Sequence, residues 1–194
     1  MKLITLILCL LMLQACAFTD AQLEVQHSES ADIVGPISEP EPLVFSSPVL
    51  TDNRADTLRI GWKKNGFGQN TADITTAEPV EAIVQAALVD AIEDNGHSTG
   101  KNPSIAITGT VDRFWFDMDA NFWTIDFIGD VKSSLRFADA ETSEVIYESS
   151  YQGTYKERKA GGLEKSWTEV MGKAVDMLIE EIVYDDELAE AIRE

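Results

Sequence analysis

The chain has 194 residues and a formal charge of −19, with 34 Asp and Glu against 15 Lys and Arg. So acidic a chain excludes nucleic acid as a partner, because binding to phosphates depends on clustered Lys and Arg that displace counterions. With two cysteines and two histidines in all, little is available for a disulfide framework, a zinc site or a nucleophile–histidine–acid arrangement.

At the N-terminus, Lys2 precedes a run from Leu3 to Leu13 that is apolar except for Thr5. A membrane-spanning helix needs roughly 20 apolar residues, so this shorter run reads as a signal segment, residues 1–15, that is removed. The following Leu13-Gln14-Ala15-Cys16 resembles the bacterial lipobox, in which the cysteine becomes the acylated first residue of the mature protein. That resemblance implies lipidation of Cys16 and attachment to a membrane, since each buried methylene of an acyl chain contributes about 0.8 kcal/mol. Ala17 stands where an inner-membrane retention signal places Asp, so the expected address is the inner leaflet of the outer membrane, facing the periplasm. Cys9 leaves with the signal and Cys16 is consumed by lipid, so no disulfide is expected and the fold must be held by packing.

Residues 16–42 turn to Ser, Glu, Asp and Pro, including Ser28-Glu29-Ser30 and Ser38-Glu39-Pro40-Glu41-Pro42. This composition predicts an extended acidic tether, with Leu23-Glu24-Val25 the one stretch patterned as a short edge strand. Residues 43–194 are then expected to form one domain around one core.

Within that domain, Val44–Leu50 and Leu58–Trp62 read as early strands. Val80, Ile83, Val84, Ala87, Leu88, Ala91 and Ile92 recur at steps of three and four, the pattern of a helix with one buried face. Thr75 and Glu78 have capping-box spacing, Pro79 suits a first turn, and Asn95-Gly96 offers a left-handed stop. Ile105, Ile107 and Val111 alternate with polar residues, and the apolar phase then passes to Phe114, Phe116 and Met118, which predicts a bulge near Asp112-Arg113. Trp123 to Phe137 is a second long alternating strand with Gly129 on its dry face, and Val145 to Tyr155 a third. A second helix runs through Trp167, Val170, Met171, Ala174, Val175, Leu178, Ile179 and Ile182, with a short last helix near Asp186 to Ile192. The expected fold is α+β, in the order β-β-α-β-β-β-α: an antiparallel meander sheet with two long helices packed on one face.

Taken together, the lipobox, Thr51-Asp52-Asn53-Arg54 leading to Ile60-Gly61, the helix ending in Asn95-Gly96, the long hairpin and the closing helix with its acidic tail resemble the YajG family of bacterial lipoproteins. The resemblance covers nearly the whole chain and rests on the order and spacing of elements. It implies an envelope lipoprotein and brings no established enzymatic activity or catalytic residues with it.

Chemical motifs in the residues themselves do not assemble. Asp117-Met118-Asp119-Ala120-Asn121 begins like a calcium loop, but Phe122 stands where the turn requires Gly and Ile128 where a bidentate Glu closes the site. Gly66-Phe67-Gly68 lacks the third Gly and the lysine of a phosphate loop and reads as a hairpin turn. His27 and His97 lie too far apart in the pattern to share a metal, and no carboxylate pair for glycoside hydrolysis is singled out. No catalytic residue, metal or cofactor is therefore expected. The feature left over is aromatic: Phe114, Trp115, Phe116, Phe122 and Trp123 crowd a strand turn, and neighbours on a strand point to opposite faces, so some of them are expected at the surface as a partner contact. The expected function is a non-enzymatic binding or accessory module of the cell envelope with a protein partner. The alternatives are a small-molecule or lipid carrier with a groove between helices and sheet and, further off, an envelope hydrolase.

Overall fold

The computed structural model describes residues 19–27, 33–65, 67–120, 124–159 and 164–193. In chain order its first elements are β1 (Ala21–Leu23), a 3-10 turn at Pro36–Ser38, β2 (Val44–Phe45), β3 (Val49–Asp52), β4 (Gly61–Lys64) and β5 (Asn70–Thr76). Helix α1 (Val80–Asp94) and β6 (Ser98–Thr99) follow, then the long strands β7 (Ile105–Ala120), β8 (Ile125–Asp139) and β9 (Val145–Lys159), and finally α2 (Glu164–Val183) and α3 (Asp186–Ala191).

The three long strands pair antiparallel in sequence order, as their alternation requires. The register of β7 against β8 shifts between Val111 and Arg113, so a bulge at Asp112 carries the buried side from Ile107 and Val111 to Phe114 and Phe116. The fold is α+β, but the sheet is mixed, which corrects the expectation of an antiparallel meander. The reason lies in the length of β7. Sixteen residues present about 50 Å of edge whose N–H and C=O groups need partners. One edge pairs with β8; along the other, β2, β3 and β4 follow one another in parallel, at Phe45↔Ile105, Val49–Asp52↔Thr108–Val111 and Gly61↔Phe116. Strands of two to four residues are too short for alternation to announce. Beyond them β5 turns back antiparallel on β4, and β1 adds a parallel strand outside β5.

The stretch expected to be a tether belongs in large part to the fold, which moves the start of the folded unit from Leu43 to at least Ala21. Ala21, Leu23, Val25 and Ile37 are all buried in the same cluster as the helices. Residues 33–43 are stapled to the end of α1. The Asn95 carboxamide accepts from the Gly35 amide at 3.0 Å and donates to the Ile33 and Ala91 carbonyls at 2.8 Å each. His97 Nδ1 accepts from the Leu43 amide at 3.2 Å, and Nε2 lies 2.6 Å from the Ile37 carbonyl, so Nε2 carries the proton and donates it there. Serine, glutamate and proline hid four well-placed apolar residues, and the polar partners that hold them are about sixty positions away.

Both long helices contribute to one core with the sheet. Helix α1 keeps its expected face, with Val80, Ile83, Val84, Ala87, Leu88, Ala91 and Ile92 buried. Its end is a turn closed by Gly96 at φ 85°. The expected capping box is not formed: Pro79 holds the cap position and no side chain caps the first turn. Helix α2 presses its backbone onto the sheet where side chains are absent. A Cβ on Gly129 would lie 2.9 Å from the Val170 carbonyl oxygen, and one on Gly153 would overlap the Ala174 carbonyl and the Leu178 amide. Among the described residues no helix is long and apolar enough to cross a membrane.

Candidate functional site

The face of the sheet turned away from the helices carries the surface most suited to function. Strand register places Asp73, Trp62, Asp117, Ile128 and Lys156 in one row across β5, β4, β7, β8 and β9, and Trp115, Asp130 and Thr154 in the next. Trp62 and Trp115 are half-buried. Arg59 stacks over the Trp62 ring at 4.1 Å while pairing with Asp56 at 2.9 Å and Asp73 at 3.3 Å. Around the two indoles runs a frame of cross-strand ion pairs: Lys64–Asp117 at 2.5 Å, Arg113–Asp130, and Lys156 and Arg158 on Asp126 at 2.7 and 2.6 Å. The Arg158 and Lys156 hydrogen bonds hold the Asp126 carboxyl far below the usual carboxylate range. Pairs whose cations stay open to water, as Arg113, Lys156 and Arg158 do here, each add little to stability. What they do is fix charge and shape around an aromatic centre.

Among the described residues, several polar groups elsewhere are engaged within the fold. Arg54 is half-buried and uses all five N–H donors: Nε and Nη2 bind the Asp52 carboxylate at 2.9 and 2.8 Å, Nη1 donates to the Arg59 and Phe114 carbonyls at 2.9 and 3.3 Å, and Nη2 also reaches the Thr57 carbonyl at 3.4 Å. Burial pushes the Asp52 carboxyl up, but the hydrogen bonds and charge of Arg54 outweigh it, leaving Asp52 below its ordinary value. The neighbouring Asn53 donates to Asp112 at 2.9 Å, and Asp112 also accepts from Thr110 at 2.8 Å and Ser134 at 2.6 Å. The Thr-Asp-Asn-Arg stretch is thus a lock at the β7 bulge. His27 pairs with Asp90 at 2.7 Å, and both ring nitrogens of His97 are engaged. Asp117 and Asp119 sit within β7, the first tied to Lys64, and among the described residues no group of three His, Cys, Asp or Glu is placed to hold a metal ion.

A cleft of about 370 Å³ opens between the 52–60 loop and the start of α1, lined by Asp52, Arg54, Leu58, Thr75 and Glu81. It meets a groove of about 360 Å³ along α1, lined by Val25, His27, Ala82, Ile83 and Ala86. Beneath the helices, the apolar space between Phe45, Leu88, Ile107 and Leu188 is only about 20 Å³, enough for about one water and too small for an acyl chain.

Of the five aromatic residues expected at a contact patch, Phe114 and Phe116 are fully buried. This corrects their reading as contacts: after the bulge they face the helices, where Phe116 packs on Phe127 and Trp167 at 6.0 and 5.5 Å between ring centroids. Trp115 lies on the opposite, outer face. Phe122, Trp123 and the lipidation residue Cys16 lie outside the described residues. Trp62 was not singled out by the sequence, and its place beside Trp115 follows only from the parallel pairing of β4 with β7.

No curated protein matches the chain. Among solved structures it is similar to protein XCC0632 of Xanthomonas campestris, at 12% identity and a TM-score of 0.55, covering 88% of this chain and 95% of that one. A candidate lipoprotein of Caulobacter crescentus aligns at 12% identity and 0.45, covering 82% and 95%. The hypothetical protein CT253 of Chlamydia trachomatis aligns at 9% and 0.43, covering 74% and 94%. The first of these likenesses shows a shared fold and nothing more. A family model described as "uncharacterized lipoprotein" matches residues 49–193, a stretch that runs from β3, through the Arg54 lock and the outer face, to the last helix; the chain belongs to this YajG-like lipoprotein family.

Proposed function

We propose that the protein is a non-enzymatic accessory lipoprotein of the cell envelope, cut before Cys16, anchored by lipid on that residue at the inner leaflet of the outer membrane, and binding an envelope protein through the outer face of its sheet. One observation carries this reading: Trp62 and Trp115 stand half-buried on the outer face of the sheet within a frame of fixed charges. Aromatic anchors ringed by polar pairs are the usual composition of binding hot spots. Lipoprotein family membership supports the envelope address.

A photo-crosslinking amino acid placed at Thr154 or Ile128 of the full-length lipoprotein, in the rows of the outer face that hold the two indoles, tests it in intact cells. A single saturable envelope protein captured at both positions, and weakened by salt, is the expected outcome. Capture no richer than that of an unrelated lipoprotein carrying the same probe sinks the binding reading. The groove along α1 supports a second reading, a carrier of a small apolar molecule held at the surface. It predicts co-purifying ligand in native mass spectra that is lost on Ala86→Trp.

A further inference from the structure

The way the chain enters the fold fixes how such a protein would stand on its membrane. Asp20 accepts a hydrogen bond from the Asp73 amide at 2.9 Å, and β1 then runs parallel to β5 from Ala21↔Ile74. Followed backward, the chain therefore leaves the sheet toward the start of β5, the end that carries the β4–β5 hairpin. Cys16 precedes Thr19 by three residues, which span at most about 11 Å. The turn between β8 and β9 lies at the other end of strands 15 residues long, about 45 to 50 Å away at 3.3 Å per residue.

The hairpin end has the character of a surface that meets lipid. Phe67, at the tip, is 92% exposed. It is held in that position: the Asn65 side chain accepts from the amides of Phe67 and Gln69 at 2.9 and 3.0 Å, and Gly68, at φ 76°, donates back to the Asn65 carbonyl at 2.9 Å. A preorganised tip loses little freedom on insertion. Charge is distributed to match. In a chain this acidic, Thr57 to Ala72 contains no Asp or Glu, and Lys63 and Lys64 near the tip pair with Glu164 and Asp117, so those carboxylates are neutralised at this end. Ala174 to Ile192, which runs toward the opposite end, contains Asp176, Glu180, Glu181, Asp185, Asp186, Glu187 and Glu190 and no Lys or Arg.

We infer that the protein is seated on the bilayer by its β4–β5 hairpin end, with Phe67 entering the headgroup–acyl boundary of an anionic phospholipid surface. The inference rests on the proposed acylation of Cys16. It replaces a domain swinging on a long tether with one that stands upright, its acidic end held away from the anionic lipid. The outer sheet face then rises along the membrane normal, open to a partner from the side.

The mature chain offers no cysteine other than Cys16, so Phe67→Cys and Glu144→Cys each give a unique thiol for an environment-sensitive fluorophore. The full-length protein, its acylation checked by mass spectrometry, is reconstituted into vesicles of phosphatidylethanolamine and phosphatidylglycerol containing nitroxide-labelled lipid. A blue-shifted emission at position 67, quenched several-fold more strongly than at 144, is expected, with the difference reduced in vesicles lacking phosphatidylglycerol. Equal, water-like emission at both positions on acylated, vesicle-bound protein overturns the seating while leaving the lipoprotein reading intact. Absence of acyl chains on Cys16 overturns both. Because Phe67 is so exposed, Phe67→Ser should fold as the parent does, and an unchanged label response at a neighbouring Gln69→Cys in that background would also count against the wedge.

Discussion

Two halves of the sheet are held together by different physics. The half made of β7, β8, β9 and α2 relies on long apolar alternation and on glycines that let a helix backbone touch the strands. The other, from β1 through β6 with α1, relies on short strands tied by single polar side chains: Arg54 at the bulge, Asn95 and His97 at the end of α1. Damage in the first half should therefore spread through the core, and damage in the second should release a named segment.

The largest effect is expected at Gly153. In Gly153→Val the added side chain collides with backbone atoms of α2, which have no rotamer to escape into. A loss of about 3 kcal/mol or more is expected, at the upper end of overpacking, read as a lower midpoint in urea with the far-ultraviolet spectrum of the remaining native state unchanged. A shift below about 1 kcal/mol would mean that α2 can rise off the sheet, and the contrast between the halves would weaken.

Next is Arg54→Met, which strands the Asp52 carboxylate and the Arg59 carbonyl. About 2 to 3 kcal/mol should be lost at neutral pH, the range for leaving buried polar groups unpaired. The pH dependence has a definite sign. Asp52 titrates below its ordinary 3.8 when folded, so its contribution is present above that value and lost as pH falls through the folded one. The gap between parent and variant should be widest at neutral pH and narrow below about pH 4. A gap constant with pH would show that Arg54 acts through packing alone.

What the sequence made legible follows the same division. Alternation in β7 to β9, the bulge at Asp112, the buried face of α1 and the glycine on the dry side of β8 could be read because each depends on residues a few positions apart. The parallel run of β2, β3 and β4 along β7 could not, because it is set by the empty edge of a strand nearly sixty residues downstream. The same distance hid the docking of residues 21–27 and 33–43 and the placing of Trp62 and Trp115 on one face. Composition was a poor guide there: Glu and Pro dominate 38–42, yet Ile37 is buried and Arg193 holds Glu39 at 2.8 Å.

Asn95→Ala should cost about 1 to 2 kcal/mol, since one side chain satisfies three backbone groups. Its signature is regional. Hydrogen exchange should accelerate at the Gly35 amide and through residues 33–43 while the amides of β7 to β9 keep their protection. Uniform acceleration across both halves would show that the N-terminal segment unfolds only with the whole and is no separate unit.

The smallest effect on stability, and the most informative for function, is expected at Trp115. It faces away from the core that Phe114 and Phe116 fill on either side of it, so the three neighbours separate the two roles of the aromatic run. Phe116→Ala should cost roughly 3 to 5 kcal/mol by opening a cavity against Phe127 and Trp167. Trp115→Ala should change stability by only about 0.5 kcal/mol, because the ion pairs around it, Arg113 with Asp130 and Lys64 with Asp117, remain joined without it. If the outer face is the contact surface, that nearly silent substitution removes partner capture in cells. If capture survives Trp115→Ala and the Trp62→Ala, Trp115→Ala double variant alike, the indoles are covering the strands rather than recognising another protein, and the outer face of the sheet has only a structural task.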